Sequence, residues 1–127
     1  MRMNRRMRKT RLNTIYHKSR NITKDNEGVP SIDYPGAADT LKAEYWPAGG
    51  QLQTMTYGDR VNNILNIRVQ GEYTIIHAVE HEIYDFGDFQ LSEGDGLCIH
   101  VTSDDEPDYR IISITPHKPL KMEVERI

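Results

Sequence analysis

Apolar and polar residues alternate along most of this chain in short runs that are separated by turn residues. In the run at residues 40–46, Leu41, Ala43 and Tyr45 fall on one side of an extended backbone, because successive side chains of a strand point to opposite faces. Runs of the same kind predict further strands over residues 10–18, 73–79, 97–102, 109–114 and 120–126. Short strands at close spacing, with little convincing helix, predict an all-β (mainly β) fold, a small barrel or sandwich.

Clusters of glycine, proline and small polar residues mark the connections between these runs. Pro-Ala-Gly-Gly at residues 47–50 predicts a tight turn, so residues 51–57 are expected to return as the second strand of a hairpin. Residues 19–38 carry Asn, Asp, Gly, Pro and Ser throughout and predict a long loop. Residues 60–69 fit a helical face as well as a strand, and a helical turn that runs into a strand satisfies both patterns. Turns or loops are also expected at residues 85–88, 93–96, 103–108 and 115–119.

Basic residues are concentrated towards the beginning of the chain. Although the net charge is −3, residues 1–24 hold nine basic side chains and no acidic one, and all 19 acidic residues lie further along. We therefore divide the chain into a basic N-terminal arm, 1–24, and a single β-barrel-like domain, 25–127. The arm includes the first predicted strand, in which Leu12, Thr14 and Tyr16 share one face.

Six basic side chains of the arm are the expected contacts of a partner or of DNA, namely Arg2, Arg5, Arg6, Arg8, Lys9 and Arg11. A basic segment can bind a phosphate backbone without reading its sequence, or it can dock on an acidic protein surface such as that of a neighbouring copy. A disordered tail without a partner is the third alternative, and the charge pattern alone leaves all three open.

Neither secretion nor a membrane span is expected from the sequence. The basic start is not followed by the apolar segment of a secretory signal, and the longest apolar runs are far shorter than the roughly 20 residues that span a bilayer. Cys98 is the single cysteine and cannot form an intramolecular disulfide. Its apolar neighbours predict a reduced residue in the core.

Two groups of residues are candidates for metal binding. His77 and His81 share a face, but Ala78 occupies the position at which the helical two-histidine zinc signature has glutamate. The acidic run at residues 104–108 lacks the alternating ligands, central glycine and distal glutamate of an EF-hand loop. A polar sheet face and a solvated loop are therefore expected, with no metal and no cofactor. Because no reacting group comes with an activating partner, an enzyme is not expected.

Four aromatic residues offer a different kind of site. Tyr45, Trp46, Tyr57 and Tyr73 fit a platform on which single-stranded nucleic acid stacks, and they fit a core or an interface at least as well. Together with the basic arm, the platform gives an alternative function, a small β-barrel nucleic-acid-binding module.

Several turn motifs occur in a fixed order between residues 40 and 127. They are Trp-Pro-Ala-Gly-Gly at 46–50, Tyr-Gly-Asp-Arg at 57–60, Leu-Ser-Glu-Gly-Asp-Gly at 91–96 and Glu-Pro-Asp-Tyr-Arg-Ile-Ile-Ser-Ile-Thr-Pro-His at 106–117, with a closing strand after them. In these motifs the chain resembles the minor capsid or head–tail joining proteins of tailed bacteriophages, the group that includes head-completion or stopper proteins.

The resemblance implies a β-barrel that assembles as an oligomeric ring beneath the portal, joins the head to the tail and helps to retain DNA. The implied partners are the portal or adaptor and tail proteins, further copies of the chain and, transiently, packaged DNA, with no membrane. The implied location is the virion, assembled in the host bacterial cytoplasm, and the family has no catalytic residues to carry over. Four residues are the expected interface, namely Tyr45, Trp46, Tyr57 and Arg60.

Overall fold

The computed structural model describes residues 12–24 and 26–127 of the chain. The protein is mainly β, with 49% of residues in strands and 12% in helices, and its centre is a closed six-stranded barrel. The all-β prediction is therefore confirmed, with the barrel as the form that the fold takes.

The described part of the chain forms short strands and two short helices. The strands are β1 (Asn13–Lys18), β2 (Asn21–Lys24), β3 (Pro30–Asp33), β4 (Asp39–Pro47), β5 (Ile64–Val69), β6 (Thr74–His77), β7 (Glu82–Asp85), β8 (Gln90–Leu91), β9 (Gly96–Cys98), β10 (Tyr109–Thr115) and β11 (Leu120–Arg126). Between β4 and β5 lie α1 (Gly50–Tyr57) and a 3₁₀ helix (Gly58–Asn63).

The barrel has the strand order β1-β4-β5-β11-β10-β9, and every neighbouring pair is antiparallel. It closes where β9 returns to β1, with Tyr16 opposite Cys98 and Lys18 opposite Gly96. Closure pairs both outer strands of the sheet, so the barrel itself has no free strand edge.

The core fills the barrel with aliphatic side chains from all six strands, as period-two alternation requires. The predicted inward face of β4 is confirmed, since Leu41 and Ala43 are buried and Tyr45 packs partly buried against them. On β11 the buried residues are Leu120, Met122 and Val124. Each such aliphatic side chain stabilises the fold by about 1.5–3 kcal/mol on burial.

The strand β1 is confirmed, but its buried face is not the one that the sequence predicts. The fully buried residues are Ile15 and His17, whereas Leu12 and Tyr16 are half-buried and Thr14 is exposed. The alternation was ambiguous because both faces of this strand carry an apolar residue, and a shift of one position exchanges the faces.

The predicted long loop at 19–38 is wrong, because most of this segment is the hairpin β2–β3. Ile22 pairs with Ile32 across the hairpin, and Gly28 has a positive φ of 81° in the connecting turn. Both strands are exposed along their whole length, so no buried face produced the alternation on which the strand prediction depends.

The predicted second strand at 51–57 is also wrong, because these residues form α1. Gly50 adopts a positive φ of 84° that starts the turn, and the Gln53 side chain accepts a hydrogen bond from the Gly49 N–H at 2.9 Å. Gln, Leu and Met favour a helix, and no α1 residue is buried in the barrel. The helical turn followed by a strand at 60–69 is confirmed by the 3₁₀ helix and β5.

A second, three-stranded sheet in the order β6-β7-β8 lies beside the barrel. Its inward residues Tyr84 and Leu91 belong to the same core cluster as the barrel strands. The strand predicted at 97–102 stops at Cys98, because the next two backbone N–H groups, of Ile99 and His100, donate to the carboxylate of Asp108 at 2.8 and 3.0 Å.

Candidate functional site

The six residues expected to contact a partner or DNA lie outside the described residues, namely Arg2, Arg5, Arg6, Arg8, Lys9 and Arg11. Their role stays a prediction. The strand β1, which follows them, is part of the barrel wall between β4 and β9.

Tyr57 and Arg60, two of the expected interface residues, hold the helical segment against the outer face of β11. The Tyr57 hydroxyl donates to Glu123 Oε1 at 2.9 Å, and Arg60 donates from Nε and Nη2 to the two oxygens of Glu125, each at 2.8 Å. Burial and the hydrogen bond to Glu123 raise the pKa of Tyr57 to about 12. Hydrogen bonding to Arg60 lowers the pKa of Glu125. The polar groups of both residues are thus used within the chain.

A polar cluster beneath α1 completes this attachment. Gln53 Nε2 donates to Asn66 Oδ1 at 2.6 Å and to Glu123 Oε2 at 2.7 Å. Asn66 is only 4% exposed, so this hydrogen bond satisfies a buried amide. Because α1 uses polar residues towards the barrel, its apolar residues Leu52 and Met55 point outwards and are 78% and 76% exposed.

The other two expected interface residues, Tyr45 and Trp46, border a shallow surface groove of about 510 Å³ with Glu44 and Arg68. The Arg68 guanidinium lies 5.1 Å from the centre of the Trp46 ring, a cation–π contact. Its Nη1 is 3.4 Å from Glu44 Oε1. The Tyr45 ring instead meets His100 edge to face at 5.8 Å.

The aromatic residues of the predicted stacking platform lie in three separate settings. Tyr45 and Trp46 are on β4, and Tyr57 ends α1. Tyr73 packs against Tyr84 and Phe86 beside the second sheet, and its hydroxyl donates to the His117 carbonyl at 2.7 Å. The four rings therefore do not form one continuous stacking surface. Trp46, with Arg68 beside it, remains as a single stacking position.

A fully buried histidine, His17, links two carboxylates at one end of the barrel. Its Nδ1 lies 3.0 Å from Asp39 Oδ2, and its Nε2 lies 2.8 Å from Asp95 Oδ2. Burial alone would lower the pKa of His17, but its hydrogen bonds to Asp95 and Asp39 outweigh burial and raise the pKa above 6.5. The cluster joins β1, β4 and the turn before β9. The sequence pattern did not indicate this cluster, because Leu12, Thr14 and Tyr16 were expected to form the shared face of β1 and His17 lies on the other face.

Asp95 makes hydrogen bonds to more groups than any other residue of this cluster. Its carboxylate also accepts the backbone N–H of Arg20 at 3.1 Å and that of Ser92 at 3.0 Å. Because Asp95 is buried, its three hydrogen bonds, from His17, Arg20 and Ser92, fix the route of the chain from β8 into β9. The predicted turn at 93–96 is therefore confirmed, and its aspartate has a structural role.

The residues of the two candidate metal sites make contacts with other side chains and are not arranged as a set of metal ligands. His77 Nδ1 lies 2.6 Å from Glu82 Oε2 on an exposed surface. In the acidic run, Asp105 accepts the N–H and the hydroxyl of Thr102, each at 2.9 Å, and these bonds lower its pKa. Among residues 12–24 and 26–127 there is no group of three or more His, Cys, Asp or Glu side chains that is arranged to hold a metal ion.

Cys98 is buried and free, as the sequence predicts. Burial raises the pKa of its thiol, so the reactive thiolate is disfavoured. Its Sγ lies 3.7 Å from the Asp105 carbonyl, which places it against the loop rather than in an open cleft.

Exposed apolar residues are concentrated on the parts that project from the barrel. The paired Ile22 and Ile32 of the hairpin are each about half exposed, at 50% and 51%. On β6, Ile75 and Ile76 are 39% and 41% exposed, and β6 is the outer strand of its sheet. Apolar side chains next to an unpaired strand edge are typical of a surface that a partner covers.

The described surface between β5 and β10 is strongly acidic. Residues 69–109 contain no lysine or arginine. Their carboxylates are Glu72, Glu80, Glu82, Asp85, Asp88, Glu93, Asp95, Asp104, Asp105, Glu106 and Asp108. This stretch includes the whole second sheet, so that sheet carries negative charge beside its exposed isoleucines.

These features define a mainly β protein with a closed antiparallel barrel, to which a hairpin, a helical segment and a small acidic sheet are attached. No described helix has both the length and the apolar character needed to cross a membrane. Comparison with known protein families, curated proteins and solved structures finds no match to this chain.

Proposed function

We propose that this chain is a virion structural protein of a tailed bacteriophage, a head-completion or stopper-like subunit of the head–tail connector. It assembles as a ring beneath the portal, joins the head to the tail and helps to retain DNA. The proposal starts from the resemblance over residues 40–127. The observation that carries it is the contrast between a barrel that buries its own core and projections that leave apolar residues uncovered.

The barrel needs no partner to complete its interior. Its strands close on themselves, and its central residues, such as Ile15, Ile67 and Leu120, are fully buried. Apolar residues outside the barrel therefore do not belong to an unfinished core. They suit contacts that form when the subunit joins an assembly.

The hairpin β2–β3 supports assembly most directly. A two-stranded hairpin is marginally stable in water by itself, and both strands of this hairpin are exposed throughout. Its chief contacts in the described structure are between its own two strands. A neighbouring subunit that covers Ile22 and Ile32 would stabilise the hairpin by removing their apolar surface from water.

Ring assembly requires a heterologous contact, in which one part of a subunit meets a different part of the next. The hairpin, α1 and the second sheet are distinct surfaces that leave the barrel at different points along the chain. A connector subunit uses such surfaces separately, for its neighbours in the ring and for the portal or tail. The acidic stretch 69–109 would repel DNA, which suits a passage through which DNA slides.

The direct test is quantitative mass spectrometry of purified phage particles induced from the source organism. We expect this protein at a fixed ratio to the portal protein, at about a dozen copies or fewer per particle, because rotational closure sets the number of subunits in a ring. Its absence from particles in which portal and tail proteins are well detected would contradict the proposal.

A small β-barrel nucleic-acid-binding module is the alternative, and one observation favours it. Trp46 and Arg68 form a surface pair next to a groove, and such pairs stack on nucleic acid bases. The adjacent Glu44 weakens this reading, because its carboxylate opposes the approach of phosphate. Salt-dependent DNA binding that requires Trp46 distinguishes the two functions.

A further inference from the structure

The turn between β6 and β7 forms a groove of about 430 Å³ on the second sheet. Its apolar part is provided by Ala78, Val79 and Tyr84, and Val79 is fully exposed. Its polar part is provided by His81 and three glutamates, Glu80, Glu82 and Glu93, of which Glu82 also lies 2.6 Å from His77. The groove therefore combines an uncovered apolar surface with carboxylates along its rim, and a ligand that fits both must be apolar and cationic.

The strand that leads into this groove offers a further attachment. β6 is the outer strand of its sheet, so the backbone groups along its outer edge have no strand partner within the described residues. Ile75 and Ile76 are partly exposed on the same strand. An extended peptide can pair with such an edge while its side chains enter the adjacent groove.

The chain contains one segment with the matching chemistry. Residues 1–11 carry six of the nine basic residues of the arm and methionines at positions 1, 3 and 7, and they contain no acidic residue. Guanidinium groups bind carboxylates with charge-assisted hydrogen bonds, and flexible methionine side chains fill irregular apolar surfaces. The groove lies in the stretch 69–109, which has no basic residue, so the two segments complement each other in charge.

We propose that the groove at the β6–β7 turn binds residues 1–11 of a second copy of this chain. The inference rests on the proposed function, because it names the contact that links one ring subunit to the next. It explains why the basic and acidic residues are separated along the chain, and it gives the exposed Val79 and the rim glutamates a common ligand.

A second copy is the occupant that fits the proposed function, because subunits of a ring meet head to tail. Lys18, at the end of β1, pairs with Gly96 next to the segment that leads out of the second sheet. Asn13, at the start of β1, is five residues away, or about 17 Å along a strand. Residues 1–11 precede this strand, and an extended segment of that length spans about 36 Å, so occupation of the groove by the arm of the same chain is the alternative that the mixing experiment below tests.

The first test uses a fluorescently labelled peptide with the sequence of residues 1–11 and measures its anisotropy with the full chain. We expect Glu80→Lys with Glu82→Lys to weaken binding about tenfold or more, because two rim carboxylates are replaced by like charges. Asp104→Lys with Glu106→Lys makes the same change of charge on an exposed loop and should have a much smaller effect. Equal weakening by the two pairs would overturn the proposal, since charge alone would then explain binding.

The second test decides whether the contact joins two copies. One variant carries the altered groove, and the other carries Arg5→Glu, Arg6→Glu and Arg8→Glu in the arm. Each variant alone should remain monomeric in analytical ultracentrifugation, whereas an equal mixture should form a dimer and stop there, because one intact arm meets one intact groove. If the mixture stays monomeric under conditions in which the wild-type chain associates, the second-copy contact is wrong.

The two proposals fail in different ways. If phage particles contain the protein but the peptide does not bind in the groove, the connector function is supported and this contact is wrong. If the peptide binds specifically in the groove but the protein is absent from phage particles, the chain self-associates and the connector function is wrong.

Discussion

At the scale of single residues, His17 is the group whose environment departs most from that of a side chain in water. It is fully buried between Asp39 and Asp95, and their hydrogen bonds favour its charged form over the neutral one. A histidine with a raised pKa in the folded state stabilises the fold fully below its unfolded pKa of 6.5. That contribution is lost as the pH rises through the folded pKa.

We predict that thermal stability includes a component that is present below pH 6.5 and declines as the pH rises through the raised pKa of His17. His17→Leu should remove this component. It should also destabilise the protein by about 1–3 kcal/mol, since it removes the hydrogen bonds of His17 to the carboxylates of Asp39 and Asp95. Melting temperatures measured from pH 5 to pH 9 test both expectations.

His81→Leu is the matched control for His17→Leu. His81 is also a histidine, but its side chain is exposed at the turn after β6. The melting temperature of this variant should follow the wild-type dependence on pH. If His17→Leu follows the wild-type curve as well, the coupling between His17 and its two carboxylates does not control stability.

At the scale of elements, α1 is a helix that is attached to the barrel by polar contacts. Gln53 and Tyr57 face Asn66 and Glu123, whereas its large apolar residues face solvent. This reverses the usual amphipathic arrangement, in which the apolar face of a helix covers the core. The position of α1 therefore depends on a few hydrogen bonds.

We predict that Gln53→Ala lowers the free energy of unfolding by about 1–3 kcal/mol, because it leaves the buried amide of Asn66 unpaired. Tyr57→Phe should cost about 0.5–1.5 kcal/mol through the loss of one hydrogen bond. Leu52→Ser on the outer face should change stability by less than about 0.5 kcal/mol. Urea denaturation of the three variants measures these differences, and a larger effect of Leu52→Ser would show that the outer face is covered within the monomer.

Two strands that the sequence predicted correctly, β4 and β11, each bury one face. β4 and β11 alternate clearly because every second residue enters the core, and a buried face constrains which residues are allowed. The hairpin β2–β3 and α1 were misassigned, and neither buries a residue in the barrel. Solvent-facing elements carry no hydrophobic period, so their local conformation depends on glycine geometry and single hydrogen bonds.

The candidate surfaces were predictable only in part, for a related reason. The separation of basic and acidic residues is visible in the sequence, whereas the contacts that Tyr57 and Arg60 make within the chain are not. Their partners, Glu123 and Glu125, lie more than 60 residues away along the chain and become neighbours only through the barrel pairing. The same holds for His17 and Asp95, which are 78 residues apart.

At the scale of the whole molecule, the separation of basic and acidic residues along the chain determines how strongly the protein binds a polyanion such as DNA. The stretch 69–109 holds eleven carboxylates and no lysine or arginine, whereas nine of the 16 basic residues lie in residues 1–24. A connector subunit is expected to bind free DNA weakly, since repulsion by the body opposes attraction by the arm.

We predict that Trp46→Ala leaves the affinity of the full chain for single-stranded DNA unchanged, and that binding is weak at physiological salt. On the alternative function, the same substitution would cost about 1–3 kcal/mol, because a base loses its stacking partner. Removal of each phosphate-contacting arginine would then reduce the slope of log affinity against log salt by about one unit. Fluorescence anisotropy across a salt series separates the two outcomes, with Arg126→Ala as a control outside the arm.

The place of β11 in the barrel has a consequence for the way in which the chain folds. This strand, the last of those described, inserts between β5 and β10, and β1 meets β9 only across the other side of the barrel. Until β11 pairs with them, β5 and β10 each have an unpaired edge. The sheet therefore stays open until β11 has been synthesised and has paired. Contacts between strands so distant along the chain make folding slow, and the open edges are sites for aggregation until the final strand closes them.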